Sequence, residues 1–126
     1  MARSNCRVLV VEDDGLLRDE LSAGLAAHGF DVIGAGDGED GARQATEGSP
    51  DVVLLDIEMP VLDGLRLAQV VQALAPEADL VMMSGHPYLC RAASDLLGPG
   101  VAVLAKPFAF DDLLSRLGDR HLPAPG

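Results

Sequence analysis

The sequence contains few aromatic residues and no tryptophan. Its 126 residues include one tyrosine and three phenylalanines, whereas 48% of the residues are hydrophobic. A chain of this length is typically a single domain that can bury its own core. We therefore expect one domain whose core is built from Val, Leu, Ala and Met.

Basic residues are also scarce. The chain has 9 lysines and arginines against 20 aspartates and glutamates, which gives a net charge of -11, and Lys106 is its single lysine. A surface this acidic repels phosphate groups and anionic lipids. We therefore expect no direct binding to nucleic acid and none to membranes.

Cysteine is represented only by Cys6 and Cys90, which form no CxxC motif. This usage favours two reduced, buried thiols in a cytosolic protein. No apolar run approaches the ~20 residues of a membrane span, and no signal-peptide pattern is present. The expected location is therefore the cytoplasm.

Short apolar segments alternate along the chain with segments of helical periodicity. The apolar segments predict five strands, at residues 7–11, 31–35, 52–55, 80–83 and 101–105. Apolar residues at helical spacing predict helices around residues 17–25, 67–74, 89–96 and 110–117, with a weaker helix at 39–47. Most of the strands are apolar throughout, which is typical of parallel strands that helices cover on both faces.

This alternation predicts an α/β fold with right-handed crossovers. We expect a three-layer, doubly wound, five-stranded parallel sheet with five helices. Its strand order is chosen by analogy as the flavodoxin-like 2-1-3-4-5. The domain is expected to cover residues 6–118, between an N-terminal tail at 1–5 and a C-terminal tail or linker at 119–126.

Polar residues follow the strands where the carboxyl ends of the sheet form a ligand-binding crevice. The residues at the ends of strands one, three, four and five are Glu12, Asp13, Asp56, Ser84 and Lys106. Like charges ~4 Å apart cost several kcal/mol at an effective dielectric near 20, so the carboxylates need counter-charges. Lys106 supplies one, and a hard divalent cation such as Mg²⁺ fits the remaining oxygen ligands, whereas no His or Cys converges there for zinc.

A metal site, a carboxylate, a lysine and a hydroxyl together suggest phosphoryl transfer. Asp56, on the central strand of the crevice, is the best candidate nucleophile and would form an acyl phosphate. The cations would neutralise charge on the transferring group, and the hydroxyl and backbone amides would bind its oxygens. Taken singly, the residues have simpler interpretations: Asp14 or Ser84 as a helix cap, Lys106 as a surface residue, and Asp63-Gly64 as a turn.

Four motifs in this order and spacing resemble the receiver domain of bacterial two-component response regulators. They are "VLVVEDD" (8–14), "DVVLLDIEMPVLDG" (51–64), "VMMSGH" (81–86) and "AKPF" (105–108). The resemblance implies that Asp56 is the phosphoacceptor, that Asp13 binds Mg²⁺ directly, and that Glu12 acts through water. It also implies that the backbone carbonyl of Glu58 completes the metal shell, with Mn²⁺ as an alternative ion.

The resemblance further implies that Ser84 is the switch hydroxyl and Lys106 the phosphate-binding lysine. It also implies a cis Lys106–Pro107 peptide bond. The chain departs from the family at Val103, where receivers often carry Tyr or Phe. Tyr88 is either a substitute switch ring or a partly exposed residue at the start of helix four.

His86 and Glu58 stand two residues beyond Ser84 and Asp56. In the family, these two positions border the path of the attacking water and tune dephosphorylation. The alternative for His86 is a solvated loop residue restricted by Pro87.

The resemblance implies a signalling switch that catalyses only its own phosphorylation and dephosphorylation and is not otherwise an enzyme. Its phosphodonor would be a histidine kinase or a histidine phosphotransfer domain, with an unidentified downstream protein and a phosphorylation-dependent dimer as further partners. The chain could equally be a receiver excised from a larger response regulator or a hybrid histidine kinase. Two other classes stay open: a small aspartyl-phosphate phosphatase or mutase, and an unphosphorylated binding module.

Overall fold

We describe a computed structural model of the chain, covering residues 6–59, 64–98 and 100–117. Strands and helices alternate through the described residues. The strands are β1 (Arg7–Val11), β2 (Asp31–Ala35), β3 (Val52–Asp56), β4 (Asp79–Ser84) and β5 (Ala102–Ala105). The helices are α1 (Gly15–Ala27), α2 (Gly38–Glu47), α3 (Gly64–Leu74), α4 (Pro87–Leu97) and α5 (Phe110–Leu117). The predicted tails, residues 1–5 and 119–126, and residue 118 at the predicted end of the domain lie outside the described residues, so the domain boundaries stay a prediction.

The five strands form one parallel sheet in the order β2-β1-β3-β4-β5, which confirms the predicted fold. β3 is the central strand, and all five of its residues are buried. Val53 and Leu55 point into an apolar cluster with α2, α3 and α4, whereas Val52 and Leu54 point into a second cluster with α1 and α5. Both faces of β3 are covered by helices, which explains why its sequence does not alternate between apolar and polar residues.

Local sequence signals set the ends of several helices. The Asp14 carboxylate accepts hydrogen bonds from the amides of Leu16 and Leu17, at 3.0 and 3.3 Å, and so caps the N-terminus of α1. Gly29, which follows α1, has a φ of 89°, a left-handed conformation that glycine adopts without strain. Phe30 then folds back into the core and is 4% exposed.

Gly64 begins α3 directly behind the end of β3. A Cβ atom at this position would lie 2.5 Å from the backbone oxygen of Asp56 and 2.5 Å from the Cα atom of Ile57. Only glycine allows this close approach of α3 to the strand end. Gly64 therefore has a packing role beyond the predicted Asp63-Gly64 turn, and Asp63 itself lies outside the described residues.

Two further expectations concern the cysteines and membranes. Cys6 and Cys90 are both half-buried, so the expectation of buried thiols is wrong. Among the described residues, no helix combines the length and the apolar character needed to span a bilayer.

Candidate functional site

The carboxyl ends of β1, β3, β4 and β5 bring five predicted side chains to one edge of the sheet. Glu12 and Asp13 follow β1, Asp56 is the last residue of β3, Ser84 is the last residue of β4, and Lys106 directly follows β5. These strands are neighbours in the sheet, so their ends meet. Glu12, Asp56 and Ser84 are 1%, 3% and 0% exposed, and they are the buried polar residues of the described chain.

Three carboxylates form the acidic part of the site. Glu12, Asp13 and Asp56 each offer one oxygen, and these oxygens lie within 4.8 Å of one another. Asp13 is exposed, whereas the other two are buried. A set of three carboxylate oxygens suits a hard divalent cation such as Mg²⁺, and, among the described residues, no cysteine or histidine joins this cluster.

Lys106 partly neutralises this cluster. Its Nζ atom lies 3.0 Å from Glu12 Oε1 and 3.3 Å from Asp56 Oδ2, and its side chain is 24% exposed. Burial lowers the pKa of Lys106, but its hydrogen bond to Glu12 and the charge of Asp56 outweigh that effect and leave the pKa raised. Lys106 therefore stays charged, and the site carries about two negative charges for a cation to balance when all three carboxylates are ionised.

The electrostatics of Glu12 differ from those of an ordinary surface glutamate. Burial and a hydrogen bond with Asp56 raise the pKa of Glu12 to about 7, although Lys106 opposes the shift. Glu12 and Asp56 are thus close enough that ionising both is unfavourable without additional positive charge.

Ser84 does not point to an open site in this structure, because its hydroxyl donates to Glu58 Oε2 at 3.0 Å. The amide of Gly85 donates to the same oxygen at 2.6 Å, and His86 Nε2 lies 3.0 Å from Glu58 Oε1. The Gly85 amide, followed by the Ser84 hydroxyl and the charge of His86, lowers the pKa of Glu58 despite its partial desolvation. Glu58 is therefore a carboxylate held by the loop after β4.

Sequence reasoning gave Glu58 a metal-binding carbonyl and a tuning position but missed these contacts of its carboxylate. The signal was present in the sheet register, because Asp56 pairs with Met83. Residues just beyond Asp56 must then lie beside Ser84 and Gly85. The backbone amide of Glu58 also donates to Asp56 Oδ1 at 2.9 Å, which ties this residue to the predicted phosphoacceptor.

His86 and Tyr88 form an aromatic pair at the start of α4. Their ring centroids are 5.3 Å apart, and the planes are inclined by 40°. Tyr88 is 59% exposed, whereas Val103 is partly buried on β5. Val103 and Cys90 line a groove of about 320 Å³ between α4 and β5. The valine side chain is smaller than the aromatic ring that receivers often carry at this position.

Arg18 on α1 was not predicted as part of this region. Its guanidinium donates to the backbone carbonyl of Glu12 at 2.7 Å. A Cβ atom at Gly36 would lie 3.1 Å from the Arg18 guanidinium, and one at Gly34 would lie 3.5 Å from its stem. Gly34 within β2 and Gly36 just after it were the available signal, because they leave room for this side chain.

The Lys106–Pro107 peptide bond is cis. The backbone amide of Lys106 also donates to the carbonyl of Ser84 at 2.7 Å. The ends of β4 and β5 are therefore joined next to the site.

The chain is similar to a known family along most of its length. The model of the response regulator receiver domain matches residues 8–118. The transcriptional regulatory protein PrrA of Mycobacterium tuberculosis is 36% identical over 111 residues, which cover 88% of this chain and 48% of that protein. The response regulator MprA of Mycolicibacterium vanbaalenii is 31% identical, with the same coverage. The chain thus spans about half the length of the curated relatives it matches.

Solved structures give the same result for the fold. A CheY-like response regulator receiver domain protein from Methanospirillum hungatei superposes with a TM-score of 0.83 at 25% identity, covering 93% of this chain and 94% of that one. The response regulator TrrA of Thermotoga maritima, solved in complex with Mg²⁺ and BeF, superposes with a TM-score of 0.79 at 27% identity. That match covers 89% of this chain and 96% of that one.

Proposed function

The chain belongs to the response regulator receiver domain family, and we propose that it is a signalling switch phosphorylated on Asp56. The observation that carries the proposal is the position of Asp56, buried between two further carboxylates and the Lys106 ammonium, at 3.3 Å. A carboxylate held beside a fixed cation at a sheet edge can take up a phosphoryl group.

The phosphodonor is a phosphohistidine of a histidine kinase or a histidine phosphotransfer domain. An Asp56 oxygen attacks the phosphorus atom, a P–O bond forms, the P–N bond breaks, and the electron pair stays on the imidazole nitrogen, which takes a proton. Lys106 offsets the negative charge that gathers on the transferred oxygens. The chain acts on no other substrate in this proposal.

Mg²⁺ is the proposed cofactor, and its oxygen ligands are present. Asp13 and Asp56 would bind the ion directly, Glu12 through water, and Glu58 through its backbone carbonyl, with Mn²⁺ as a substitute. The ion supplies positive charge at the acyl phosphate. Two of the three carboxylates that face it are buried, so they are placed before the ion binds.

Phosphorylation replaces the single negative charge of the Asp56 carboxylate with a group that carries about -1.5 to -2 charges. The gain of up to about one negative charge next to Ser84 and Lys106 is proposed to alter partner binding on the surface of α4, β5 and α5. Val103 takes the position where receivers often carry an aromatic ring, so Tyr88 is the proposed substitute at that surface. The partner is a protein, and a dimer of the phosphorylated form is one such outcome.

The relatives matched by this chain are about twice its length. We therefore also propose that the chain can serve as the receiver part of a larger response regulator. A solved receiver domain of the hybrid histidine kinase CckA is 29% identical, so the hybrid-kinase alternative is retained as well.

The phosphatase or mutase alternative needs a second carboxylate that acts as general acid. Glu58 is the candidate by position, but both of its oxygens are bound to the loop after β4. Incubation with p-nitrophenyl phosphate and Mg²⁺ separates the two functions. A receiver that loses its own phosphoryl group releases nitrophenol no faster than the acyl phosphate on Asp56 is hydrolysed after the donor is removed. Steady release faster than that hydrolysis would contradict the proposal.

A further inference from the structure

The Glu58 carboxylate is bound as an anion by the loop that follows β4. One of its oxygens accepts the Ser84 hydroxyl at 3.0 Å and the Gly85 amide at 2.6 Å, and the other lies 3.0 Å from His86 Nε2. Ser84 also accepts a hydrogen bond from the His86 amide at 3.0 Å. We call this arrangement the Glu58 clasp.

A hydroxyl and a backbone amide that converge on one anionic oxygen are the donors that a phosphoryl oxygen would also need. Ser84 lies at the end of β4, beside the end of β3 that carries Asp56, because Asp56 and Met83 pair in the sheet. A serine hydroxyl has one proton to donate. It can therefore serve the Glu58 carboxylate or a phosphoryl group on Asp56, but not both.

We propose that the Glu58 carboxylate is an internal occupant of the phosphoryl-oxygen site, holding Ser84 and Gly85 until a phosphoryl group on Asp56 displaces it. The inference rests on the proposed function, which supplies the phosphoryl group. The amide of Glu58 donates to Asp56 Oδ1 at 2.9 Å, so the clasp is attached to the phosphoacceptor by its backbone and to the loop by its side chain. Phosphorylation thus acts on both ends of one residue.

Release of the clasp has a consequence for the surface of α4. His86 contacts Glu58 through Nε2 and contacts the Tyr88 ring at a centroid distance of 5.3 Å. When Glu58 leaves, His86 loses its carboxylate partner, and the exposed Tyr88 ring loses a fixed neighbour. This route connects the site to α4 without an aromatic residue at position 103.

The test compares the wild type with Glu58→Ala and Glu58→Gln. Glutamine keeps an acceptor oxygen but loses the charge, so it separates the hydrogen bonds from the electrostatic effect of removing a carboxylate. Glu77→Gln, at an exposed position between α3 and β4, is the matched control for the charge. Hydrogen exchange of the Gly85 amide, followed by NMR without Mg²⁺ or phosphodonor, measures the clasp itself. Exchange is expected to be at least about tenfold faster in Glu58→Ala than in the wild type and unchanged in Glu77→Gln.

The second measurement is the affinity for beryllofluoride, a phosphoryl mimic, at saturating Mg²⁺. Glu58→Ala is expected to bind it about tenfold more tightly than the wild type, a difference of about 1.4 kcal/mol. Glu58→Gln is expected to fall between them, because an uncharged acceptor makes the weaker hydrogen bond. Fluorescence of Tyr88 reports the binding, since the chain has no other tyrosine and no tryptophan.

The outcomes separate the inference from the function on which it rests. Equal affinities in the wild type and Glu58→Ala, or equal gains in Glu58→Ala and Glu58→Gln, would overturn the clasp while leaving a functional receiver. Unchanged exchange of the Gly85 amide in Glu58→Ala would overturn it too. If beryllofluoride binds neither the wild type nor Glu58→Ala, the proposed function and the inference fail together.

Discussion

Replacement of Lys106 by methionine removes the cation at the centre of the site while keeping a side chain of similar length. The Nζ atom of Lys106 lies 3.0 Å from Glu12 Oε1 and 3.3 Å from Asp56 Oδ2, and both carboxylates are almost fully buried. Breaking a buried ion pair on one side costs about 3–5 kcal/mol, because the remaining charge is left uncompensated. Lys106 is 24% exposed, so the lower end of this range, about 3 kcal/mol at pH 8, is expected for the metal-free protein.

The pH and the metal should change this loss in defined directions. The pKa of Glu12 is already raised to about 7, so at pH 5 Glu12 can take up a proton and the cost of Lys106→Met becomes smaller. Mg²⁺ supplies positive charge in place of the ammonium, and it should therefore stabilise Lys106→Met at pH 8.

Urea unfolding with EDTA or with Mg²⁺ measures these effects, and Arg43→Met, which removes an exposed cation of α2, is the control. If Lys106→Met unfolds at the same urea concentration as Arg43→Met, at pH 8 in EDTA, Lys106 does not stabilise the fold by neutralising the buried carboxylates.

Three further predictions concern neighbouring residues. Asp56→Asn is expected to stabilise the metal-free protein by about 1 kcal/mol, because it removes the repulsion from Glu12 and Asp13 while losing only the attraction to Lys106, and to reduce the stabilisation by Mg²⁺. Urea unfolding with and without Mg²⁺ measures both effects, and a variant that is less stable than the wild type in EDTA would contradict the prediction. The pKa of Glu12 is raised from 4.5 to about 7, so between these pH values the folded metal-free protein binds a proton that the unfolded chain has lost. The free energy of unfolding should therefore fall as the pH rises from 4.5 to about 7, and the fall should be smaller in Glu12→Gln. Urea midpoints that rise over the same pH range would count against the raised pKa. His86→Ala is expected to speed loss of the phosphoryl group, because the imidazole no longer shields the acyl phosphate from water; an unchanged dephosphorylation rate would remove this role of His86. Tyr88→Ala is expected to weaken partner binding of the phosphorylated form, and an unchanged affinity would show that Tyr88 is not the switch ring.

The fold could be predicted because apolar runs and helical periodicity mark the elements directly. β1 and β2 begin and end as predicted. β4 is one residue longer at each end, because polar Asp79 and Ser84 pair with neighbouring strands through their backbones. β5 begins at Ala102 instead of residue 101, because Ala102 is the first of its residues that pairs with β4. Backbone pairing sets the end of a strand, and the hydrophobicity of the sequence does not show where that pairing stops.

The site could be predicted only as far as strand ends determine it. Glu12 and Asp56 meet because β1 and β3 are adjacent, and Lys106, at the end of β5, reaches both carboxylates past the end of β4. The order of the strands therefore determines this part of the site. The contacts of the Glu58 carboxylate and the Arg18 guanidinium depend on side-chain rotamers and on the shape of loops, so spacing along the chain does not reveal them. The Glu58 clasp depends on the register of β3 and β4, in which Asp56 pairs with Met83.

Phosphorylation of Asp56 is tested most directly by locating the phosphoryl group in the protein. The protein is incubated with phosphoramidate, a small donor with a P–N bond, and Mg²⁺, and borohydride then reduces any aspartyl phosphate to homoserine before peptide mapping. We expect a mass gain of about 80 Da before reduction, which reflects one phosphoryl group, and conversion of Asp56 alone, only when Mg²⁺ is present. Conversion of another aspartate, or an equal mass gain in Asp56→Asn, would contradict it.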